Sequence, residues 1–451
     1  MPHLAIVNSK SENSEYTNQS QENKDCYMIA SAGGCEKCMY GNWYQSGCYM
    51  SLDCYNIHKA ELCYECVNCA RVYDCRYCQD VFDSRSCYFS IDLHGCSDCF
   101  GCAGLRNKQY CFFNEQLSKE EYQKRIKGIV WSRKFIEETR KKAYDFSLKI
   151  PRKFYHGAKN VDFSGDYIEF AKNTFESFNC KYVENISYSQ DTWWSKDSLD
   201  VTEAFAQNCY ETQGCVVAYS MGMRSCWDTH DSYYSDMCFG SSDLFGCMGL
   251  RQKHYCILNK QYSKEEYVHM KNRLIAHMKK TGEWGEFFPA AISPFAYNES
   301  VAQDFFPLTK EEAKKLNFQW YEREETSYTI TKKPEELPQT ISEASNDITK
   351  EVIACTSGYQ ECAKAYAIVP LELELYKKMN LPLPLKCFPC RRKERLALRN
   401  PRKLWHRKCM CEFKNHTSHQ ETKCPTEFQT SYSPERKETI YCETCYIAEV
   451  V

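Results

Sequence analysis

The chain has 451 residues, enough for two or three domains with cores of their own. Its formal net charge is −2, so overall charge predicts neither a nucleic-acid nor a membrane partner. No stretch approaches the ~18 apolar residues of a membrane span. The first residues lack the apolar core of a signal peptide, so we expect the 31 cysteines to be largely reduced and the protein to be cytoplasmic.

The cysteines fall into three groups along the chain. Fifteen lie in residues 26–111, seven in residues 180–256 and nine in residues 355–445. The polar residues 1–24 precede the first group and are expected to form a disordered tail.

The first two groups belong to an internal duplication. The segment FGCAGLRNKQYCFFNEQLSKEEY begins at Phe100, and FGCMGLRQKHYCILNKQYSKEEY begins at Phe245. They align without a gap, and such self-similarity is typical of repeat architectures. We therefore expect two related units, residues 25–150 and 151–290.

Each unit ends in a predicted helix. Ser118 with Glu121, and Ser263 with Glu266, fit the capping box, in which each side chain satisfies a free backbone N–H at the helix start. Each helix is expected to cover the end of its unit, because an open end of stacked strands must be protected. The apolar residues at helical spacing are Ile126, Ile129 and Val130 in the first helix, and Met270, Leu274, Ile275 and Met278 in the second.

The spacing of ten cysteines in the first unit indicates a coil of very short strands. Side chains on one face recur every 3.6 residues in a helix and every 2 residues in a flat strand. In a coil of very short strands with one-residue corners between them, inward side chains recur on average every three residues. Gly, Ser, Asp and Asn recur between the cysteines, as turns require. The sequence thus predicts a mainly β fold with two duplicated short β-solenoid units. The cysteines separated by multiples of three are Cys63, Cys66, Cys69, Cys75, Cys78, Cys87, Cys96, Cys99, Cys102 and Cys111.

The solenoid cysteines fit packing better than metal binding. The Cys-x2-Cys-x2-Cys run that begins at Cys63 resembles an iron–sulfur ligand run. However, the second unit has Ser241 in place of Cys96 and Leu244 in place of Cys99. A ligand of a soft metal does not interchange with leucine, whereas a small buried side chain does. We therefore predict inward-facing packing ladders, with metal or cluster binding and disulfides as the alternatives.

Residues 291–350 form a predicted connector. Thr309 and Glu312 give a third capping box and a short helix. The segment ITKKPEELPQTISEASNDITK is polar, charged and contains proline, which is typical of a flexible linker.

A first zinc ribbon is predicted in residues 351–396. Cys355 and Cys362 form one ligand pair, and Cys387 and Cys390 form the other. In a zinc ribbon two such pairs converge, and four thiolates close a tetrahedron around the ion. The six residues between the first two cysteines exceed the usual two to four. The alternative, a free Cys-x2-Cys in so polar a segment, would be exposed to oxidation.

A second zinc ribbon is predicted in residues 397–451. Cys424, Cys442 and Cys445 are expected ligands, with Cys411 as the fourth. The alternatives for the fourth position are Cys409, His416 and His419. The cofactors are thus two structural Zn²⁺ ions, each contributing on the order of 10 kcal/mol to folding.

With these features in view, the chain resembles a group of uncharacterised bacterial Cys/Tyr-rich repeat proteins with C-terminal zinc ribbons. Some proteins of this group are labelled CaiB/BaiF-family CoA-transferases, but this chain shows no Rossmann-like pattern or acyl-accepting carboxylate that supports such chemistry. The first ribbon also resembles a common bacterial Cys-pair ribbon, with an aromatic residue at Tyr366. The residues that carry the resemblance are 104–111, 249–256, 307–312, 384–391, 399–405 and 433–446.

A basic segment, RRKERLALRNPRKLWHRK, spans residues 391–408 between the two ribbons. Half of its residues are Lys or Arg, which is a strong local asymmetry in a nearly neutral chain. Basic side chains beside an aromatic residue can bind phosphates and stack bases. An acidic protein partner and a solvated linker are the alternatives. The candidate nucleic-acid-binding residues are Arg391, Arg392, Arg399, Arg402, Lys403, Trp405 and Arg407.

These features predict a non-catalytic zinc-binding protein, with the solenoids as a binding platform and the ribbons as a docking module for protein or nucleic acid. No membrane partner is expected. The alternative is an enzyme with its site in a solenoid groove. The eleven histidines are scattered, and no Ser/His/Asp or Cys/His set can be named from sequence proximity. Zinc sites closed by four protein ligands leave no position for a catalytic water.

Overall fold

Short strands and β-bridges recur through residues 8–261 and form two arrays with mainly parallel pairing, termed the first stack and the second stack. The computed structural model describes residues 8–44, 47–322, 327–359, 362–413, 419 and 423–450. The first stack holds strands β1 to β12: Asn8–Ser9, Asn18–Gln21, Tyr27–Gly33, Met39–Tyr44, Tyr55–His58, Val67–Ala70, Gln79–Phe82, Arg85–Tyr88, Ile91–His94, Ser97–Phe100, Gln109–Phe112 and Glu115–Gln116. Strand β13 (Arg152–Lys153) precedes the second stack. The second stack holds strands β14 to β24: Gly157–Ala158, Val161–Ser187, Lys196–Thr202, Phe205–Gln207, Tyr210–Gln213, Val216–Ala218, Met221–Arg224, Trp227–His230, Ser242–Phe245, His254–Ile257 and Lys260–Gln261.

Helices follow each stack, and the remainder of the chain combines short helices, 3₁₀ turns and short strands. The helices α1 to α8 are Lys119–Lys127, Arg133–Ser147, Lys264–Thr281, Ala302–Phe305, Lys310–Lys315, Pro370–Lys378, Phe388–Ala397 and Glu443–Val450. The 3₁₀ turns are Ala290–Ile292, Tyr297–Glu299, Pro334–Glu336, Ile341–Glu343 and Asn346–Lys350. The late strands β25 to β29 are Ile353–Ala354, Ala365–Tyr366, Trp405–Lys408, Glu427–Thr430 and Ile440–Tyr441. None of the described helices is long and apolar enough to cross a membrane.

The first stack is a coil with a repeat of 12 residues. Tyr55 pairs with Val67, which pairs with Gln79, in parallel register. Every third residue has a positive φ, as at Asp80 (54°) and Asp83 (49°). Such a residue turns the chain, and Asp and Asn enter this left-handed region more readily than most residues. The solenoid of short strands and one-residue corners is thus confirmed.

The cysteines of both stacks point inward and are buried. One column runs along the first stack at 12-residue spacing, and its two pairs Cys87 with Cys99 and Cys99 with Cys111 are in register. The thiols also satisfy inner carbonyl groups, as where Cys66 Sγ lies 3.5 Å from Tyr64 O and 3.3 Å from Cys75 O. None of the 31 cysteines, all of which lie in the described residues, forms a disulfide bond. A small apolar group with a weak donor suits this interior.

Residues 8–24 correct the expected disordered tail, because they form the first rungs of the coil. Asn8 pairs with Ser20, and Asn18 pairs with Ala30. Small polar side chains take the inward positions that cysteines occupy later. Asn23 is 1% exposed and its Oδ1 accepts a hydrogen bond from the N–H of Cys35. The segment reads as polar because its inward residues are polar too.

The two stacks end alike. In each, the last coil turns into a short antiparallel hairpin, β11–β12 or β23–β24, and a helix follows. Both predicted capping boxes are present, and each helix buries one tyrosine, Tyr122 or Tyr267, against its stack. The capping box at Thr309 is present as well. Each stack is therefore closed by a capping helix, as predicted.

The C-terminal module, residues 351–450, packs on the first stack instead of standing apart. Leu375 and Tyr376 of α6 share one hydrophobic core with Tyr64 of the first stack. The polar connector contributes Ile341 and Ile348 to the same core. Both residues lie in 3₁₀ turns. The segment predicted to be a flexible linker is therefore ordered and packs over the core.

The same module also contacts the start of the second stack. Strand β29 pairs in parallel with β13. The ring of Phe428 stacks on Phe154 at a centroid distance of 4.6 Å, and Thr430 Oγ1 donates to the Phe154 carbonyl. The module therefore lies where the two stacks meet.

Candidate metal centres

The first cysteine group brings together all four predicted ligands. Cys355 follows β25, Cys362 precedes β26, Cys387 is the N-cap of α7 and Cys390 lies in its first turn. Their sulfur atoms lie within 4.8 Å of one another, with separations of 3.9 Å for Cys362–Cys387 and 3.4 Å for Cys387–Cys390. Four sulfurs at 2.3 Å from one ion would be about 3.8 Å apart. The group could hold a metal ion.

Backbone N–H groups point at two of the four sulfurs, those of Cys355 and Cys362. The N–H groups of Ser357 and Cys387 point at Cys355 Sγ from 3.4 and 3.3 Å, and that of Lys364 points at Cys362 Sγ from 3.2 Å. Burial raises the pKa of Cys355, but the N–H groups of Cys387 and Ser357 together with the neighbouring thiols of Cys362 and Cys387 outweigh it, so the net shift is downward. A thiolate that accepts backbone N–H bonds is a better metal ligand than an isolated thiol.

The second cysteine group corrects one predicted ligand. Cys409, Cys424, Cys442 and Cys445 converge within 4.8 Å, so Cys409 takes the place predicted for Cys411. The N–H of Cys409 donates to the carbonyl of residue 426, which extends the β27–β28 ladder by one rung and places its sulfur beside the other three. Spacing alone could not separate two cysteines so close in sequence.

Neighbouring donor groups also contact the sulfurs of the second group. Cys424 Sγ lies 3.9 Å from Cys442 Sγ, and the N–H of Cys442 points at Cys409 Sγ from 3.2 Å. Burial raises the pKa of Cys424, but the hydroxyl and N–H of Thr426, together with the thiols of Cys445 and Cys409, outweigh this effect and lower the pKa to about 7. His416, an alternative ligand, lies outside the described residues.

Cys411 belongs to a neighbouring trio. Its sulfur, a ring nitrogen of His419 and the sulfur of Cys445 lie within 4.8 Å of one another, and all three residues are buried. Within the described part of the chain, the groups of three or more convergent donors all lie in the C-terminal module.

The predicted nucleic-acid-binding arginines are mostly turned inward, which corrects that expectation. Helix α7 directs Arg391 and Arg395, 5% and 2% exposed, at the fully buried carboxylate of Asp53. Arg391 Nε lies 2.8 Å from Asp53 Oδ2, and Arg395 Nη1 lies 2.9 Å from Asp53 Oδ1. Arg395 also lies 3.8 Å from Glu65, and Arg391 lies 3.4 Å from Glu372. These guanidinium groups are internal partners of acidic groups, so they cannot face phosphates.

The row of arginines continues past α7 towards the second stack. Arg399 Nη1 donates to the Tyr55 hydroxyl at 2.8 Å. Arg402 lies 2.6 Å from the buried carboxylate of Asp191 and 3.7 Å above the ring of Phe305. Arg391, Arg395, Arg399 and Arg402 are termed the arginine row.

The other predicted nucleic-acid contacts do not form one surface. Arg392 pairs with Asp304 of α4 at 2.9 Å, and Arg407 donates to carbonyl groups of the β28–β29 connection. Trp405 is half-buried on β27, with the exposed Lys403 ammonium 5.4 Å from its ring. Lys403 is thus the exposed cation of the seven predicted residues.

A cleft of about 1220 Å³ runs between the stacks and the module, and it holds ionisable groups that the sequence did not reveal. His156 Nδ1 lies 2.9 Å from Asp166, its Nε2 lies 3.1 Å from the Tyr432 hydroxyl and 3.6 Å from Asp80, and its ring stacks on Tyr167. Burial lowers the pKa of His156, but the two carboxylates outweigh it and raise it to about 9. An imidazolium with both nitrogens engaged is an internal cation rather than a general base.

No local motif could have revealed this cluster or the acids of the arginine row. Asp80, Asp166 and Tyr432 come from three distant segments, and each is an ordinary polar residue in its own surroundings. Only their burial marks them out.

Comparisons with known proteins add little to this geometry. No protein-family model matches the chain, and no curated protein matches it. Among solved structures, one described as an acetyltransferase from Desulfovibrio desulfuricans G20 is 7% identical over 53% of this chain, with a TM-score of 0.14. The chain spans 62% of that structure, and a likeness of this size carries no argument about fold or activity.

Proposed function

We propose that the protein is a non-catalytic, zinc-dependent scaffold in which the C-terminal module locks two solenoid units into one binding platform. The arginine row carries the proposal. It starts at the first cysteine group and reaches Asp53 on the first stack and Asp191 on the second. The module places four buried guanidinium groups against the two stacks, and these contacts hold the two stacks together.

Zinc is the metal proposed for both cysteine groups. Four soft thiolates suit Zn²⁺, and a site closed by four protein ligands is typical of a structural ion. Each group lies beside a two-stranded antiparallel hairpin, which supports two zinc ribbons. The ion would fix the position of α7, since Cys387 and Cys390 lie at the start of the helix that carries Arg391 and Arg395.

The two stacks are proposed to be duplicated units. The matched endings support this origin, since Tyr122 and Tyr267 are equivalent residues in the repeated segments and each is buried beside the hairpin that ends its own stack. A cytoplasmic location is also proposed, because free thiols in such number suit a reducing compartment.

A protein is the proposed partner in preference to nucleic acid or membrane. Three of the arginines predicted to bind phosphates, Arg391, Arg399 and Arg402, are buried inside the molecule. The second stack instead exposes Phe170, Tyr182, Trp194 and Phe205, whose rings stack face to face along consecutive coils. Because their faces cover one another, these rings offer edges, which suit protein side chains better than stacked bases. A fluorescent single-stranded RNA should show no salt-dependent anisotropy change with the native protein, and salt-sensitive binding would contradict the preference.

The enzyme alternative, including the CoA-transferase label of similar proteins, is not favoured. The cleft contains His156, but its ring is fully engaged by Asp166 and Tyr432. A CoA-ester exchange assay on zinc-loaded protein should therefore show no turnover.

Metal removal tests the scaffold proposal. The purified chain is analysed for zinc and iron, stripped with a strong chelator under reducing conditions, and digested briefly with trypsin. We expect the zinc-free protein to be cut within residues 386–408 while residues 8–261 stay resistant. The control is Cys96→Ser, which leaves both cysteine groups intact and should keep the native digestion pattern. A metal-free native protein, or an unchanged pattern after stripping, would contradict the proposal.

A further inference from the structure

Cys411 and His419 are buried beside the second cysteine group without belonging to it. Cys411 is fully buried and His419 is 8% exposed. Their donor atoms and the sulfur of Cys445 lie within 4.8 Å of one another, while Cys445 also belongs to the four-cysteine group. Cys445 is therefore shared by two sets of convergent donors.

We infer that the second centre is dinuclear, with the Cys445 thiolate bridging two divalent d¹⁰ ions. One ion takes Cys409, Cys424, Cys442 and Cys445, and the other takes Cys411, His419 and the shared Cys445. This inference rests on the proposed zinc-dependent scaffold and adds a third ion to it.

The donor chemistry fits such a pair. Thiolate and imidazole are the ligands that Zn²⁺ prefers, and a thiolate has lone pairs enough to bind two ions. A single divalent ion leaves a net negative charge on four buried thiolates, which is costly away from water. A second divalent ion more than balances the added Cys411 thiolate, so the net charge of the centre becomes less negative.

The second ion differs from the first in its coordination. Three protein donors leave a fourth position for a water or a small anion, so fewer protein bonds hold this ion than hold the other. We therefore expect the ion at Cys411 to dissociate before the other two during a chelator titration.

Metal counting on the full-length chain tests the inference. The native protein, Cys411→Ser, His419→Gln and the control Cys96→Ser are purified with zinc under reducing conditions, and metal per chain is measured by inductively coupled plasma mass spectrometry. Ser is tolerated at position 96 because Ser84 occupies the equivalent buried position one coil earlier. We expect three ions in the native chain and in the control, and two in each of the other variants.

Cadmium NMR gives a readout that depends on the bridge itself. In the ¹¹³Cd-loaded protein, two signals should be coupled through the shared sulfur, and His419→Gln should remove one signal and the coupling. Two ions in the native chain, unchanged by either variant, would overturn the dinuclear centre and leave the scaffold proposal standing. A native chain without metal would overturn both.

Discussion

The carboxylate of Asp53 is the point where the arginine row can be tested most directly. It is fully buried and lies 2.8 Å from Arg391 and 2.9 Å from Arg395. Replacing Asp53 with Asn keeps the shape but removes the negative charge between two buried cations. Breaking a buried ion pair by removing one partner costs about 3–5 kcal/mol. Arg391 retains Glu372 and Arg395 retains Glu65, so we expect the lower end, about 3 kcal/mol.

Urea unfolding followed by circular dichroism measures this cost. The midpoint should fall, while the denaturant slope stays constant if the native fold is kept. Arg395→Met and the double variant complete a double-mutant cycle. The double variant should cost less than the sum of the singles by about 1 kcal/mol or more, because the loss of Asp53 then no longer leaves the buried Arg395 charge without that partner.

Asp83→Asn is the matched control. Asp83 is also a corner residue of the first stack with a left-handed φ, which Asn adopts as readily as Asp. Its side chain is 59% exposed and pairs with the exposed Arg71, so its loss should stay within about 0.5 kcal/mol. If Asp53→Asn costs no more than Asp83→Asn, the arginine row does not join the module to the first stack and the reasoning is refuted.

Substitutions at three further positions test the other parts of the structure. His156→Gln should flatten the pH dependence of the free energy of unfolding between pH 6.5 and 9, as measured by urea unfolding. The raised pKa of His156 stabilises the fold by about 3 kcal/mol below pH 6.5, and this stabilisation is lost as the pH rises through 9. An unchanged pH dependence would contradict this expectation. Cys387→Ser should lower the zinc content by one ion per chain and expose α7 to trypsin, whereas full metal content would exclude it as a ligand. Cys78→Ser should lower the free energy of unfolding by about 1 kcal/mol, since Ser90 holds the equivalent buried position one coil later. Cys78→Asp should prevent folding at 37 °C, because it places a carboxylate in the same buried position. Equal effects of the two changes, judged by circular dichroism, would argue against the inward packing of Cys78.

The sequence alone predicted the features that depend on near neighbours. The three-residue spacing of the cysteines sets the coil, because a corner at every third residue turns each third side chain inward. The boxes at Ser118, Ser263 and Thr309 are satisfied by residues only three positions away. The members of the first cysteine group likewise follow from two short pairs, Cys355 with Cys362 and Cys387 with Cys390.

Only the tertiary structure decided which polar residues face the interior. The inward Asn23 shows that a segment read as a tail continues the coil, because hydrogen bonds to the next rung replace cysteine packing. The exchange of Cys411 for Cys409 depends on one rung of the β27–β28 ladder. The charge of Arg395 is visible in the sequence, but whether it meets water or Asp53 is not, since the two residues lie far apart in the chain and an ion pair is selected by the folded geometry rather than by any local pattern.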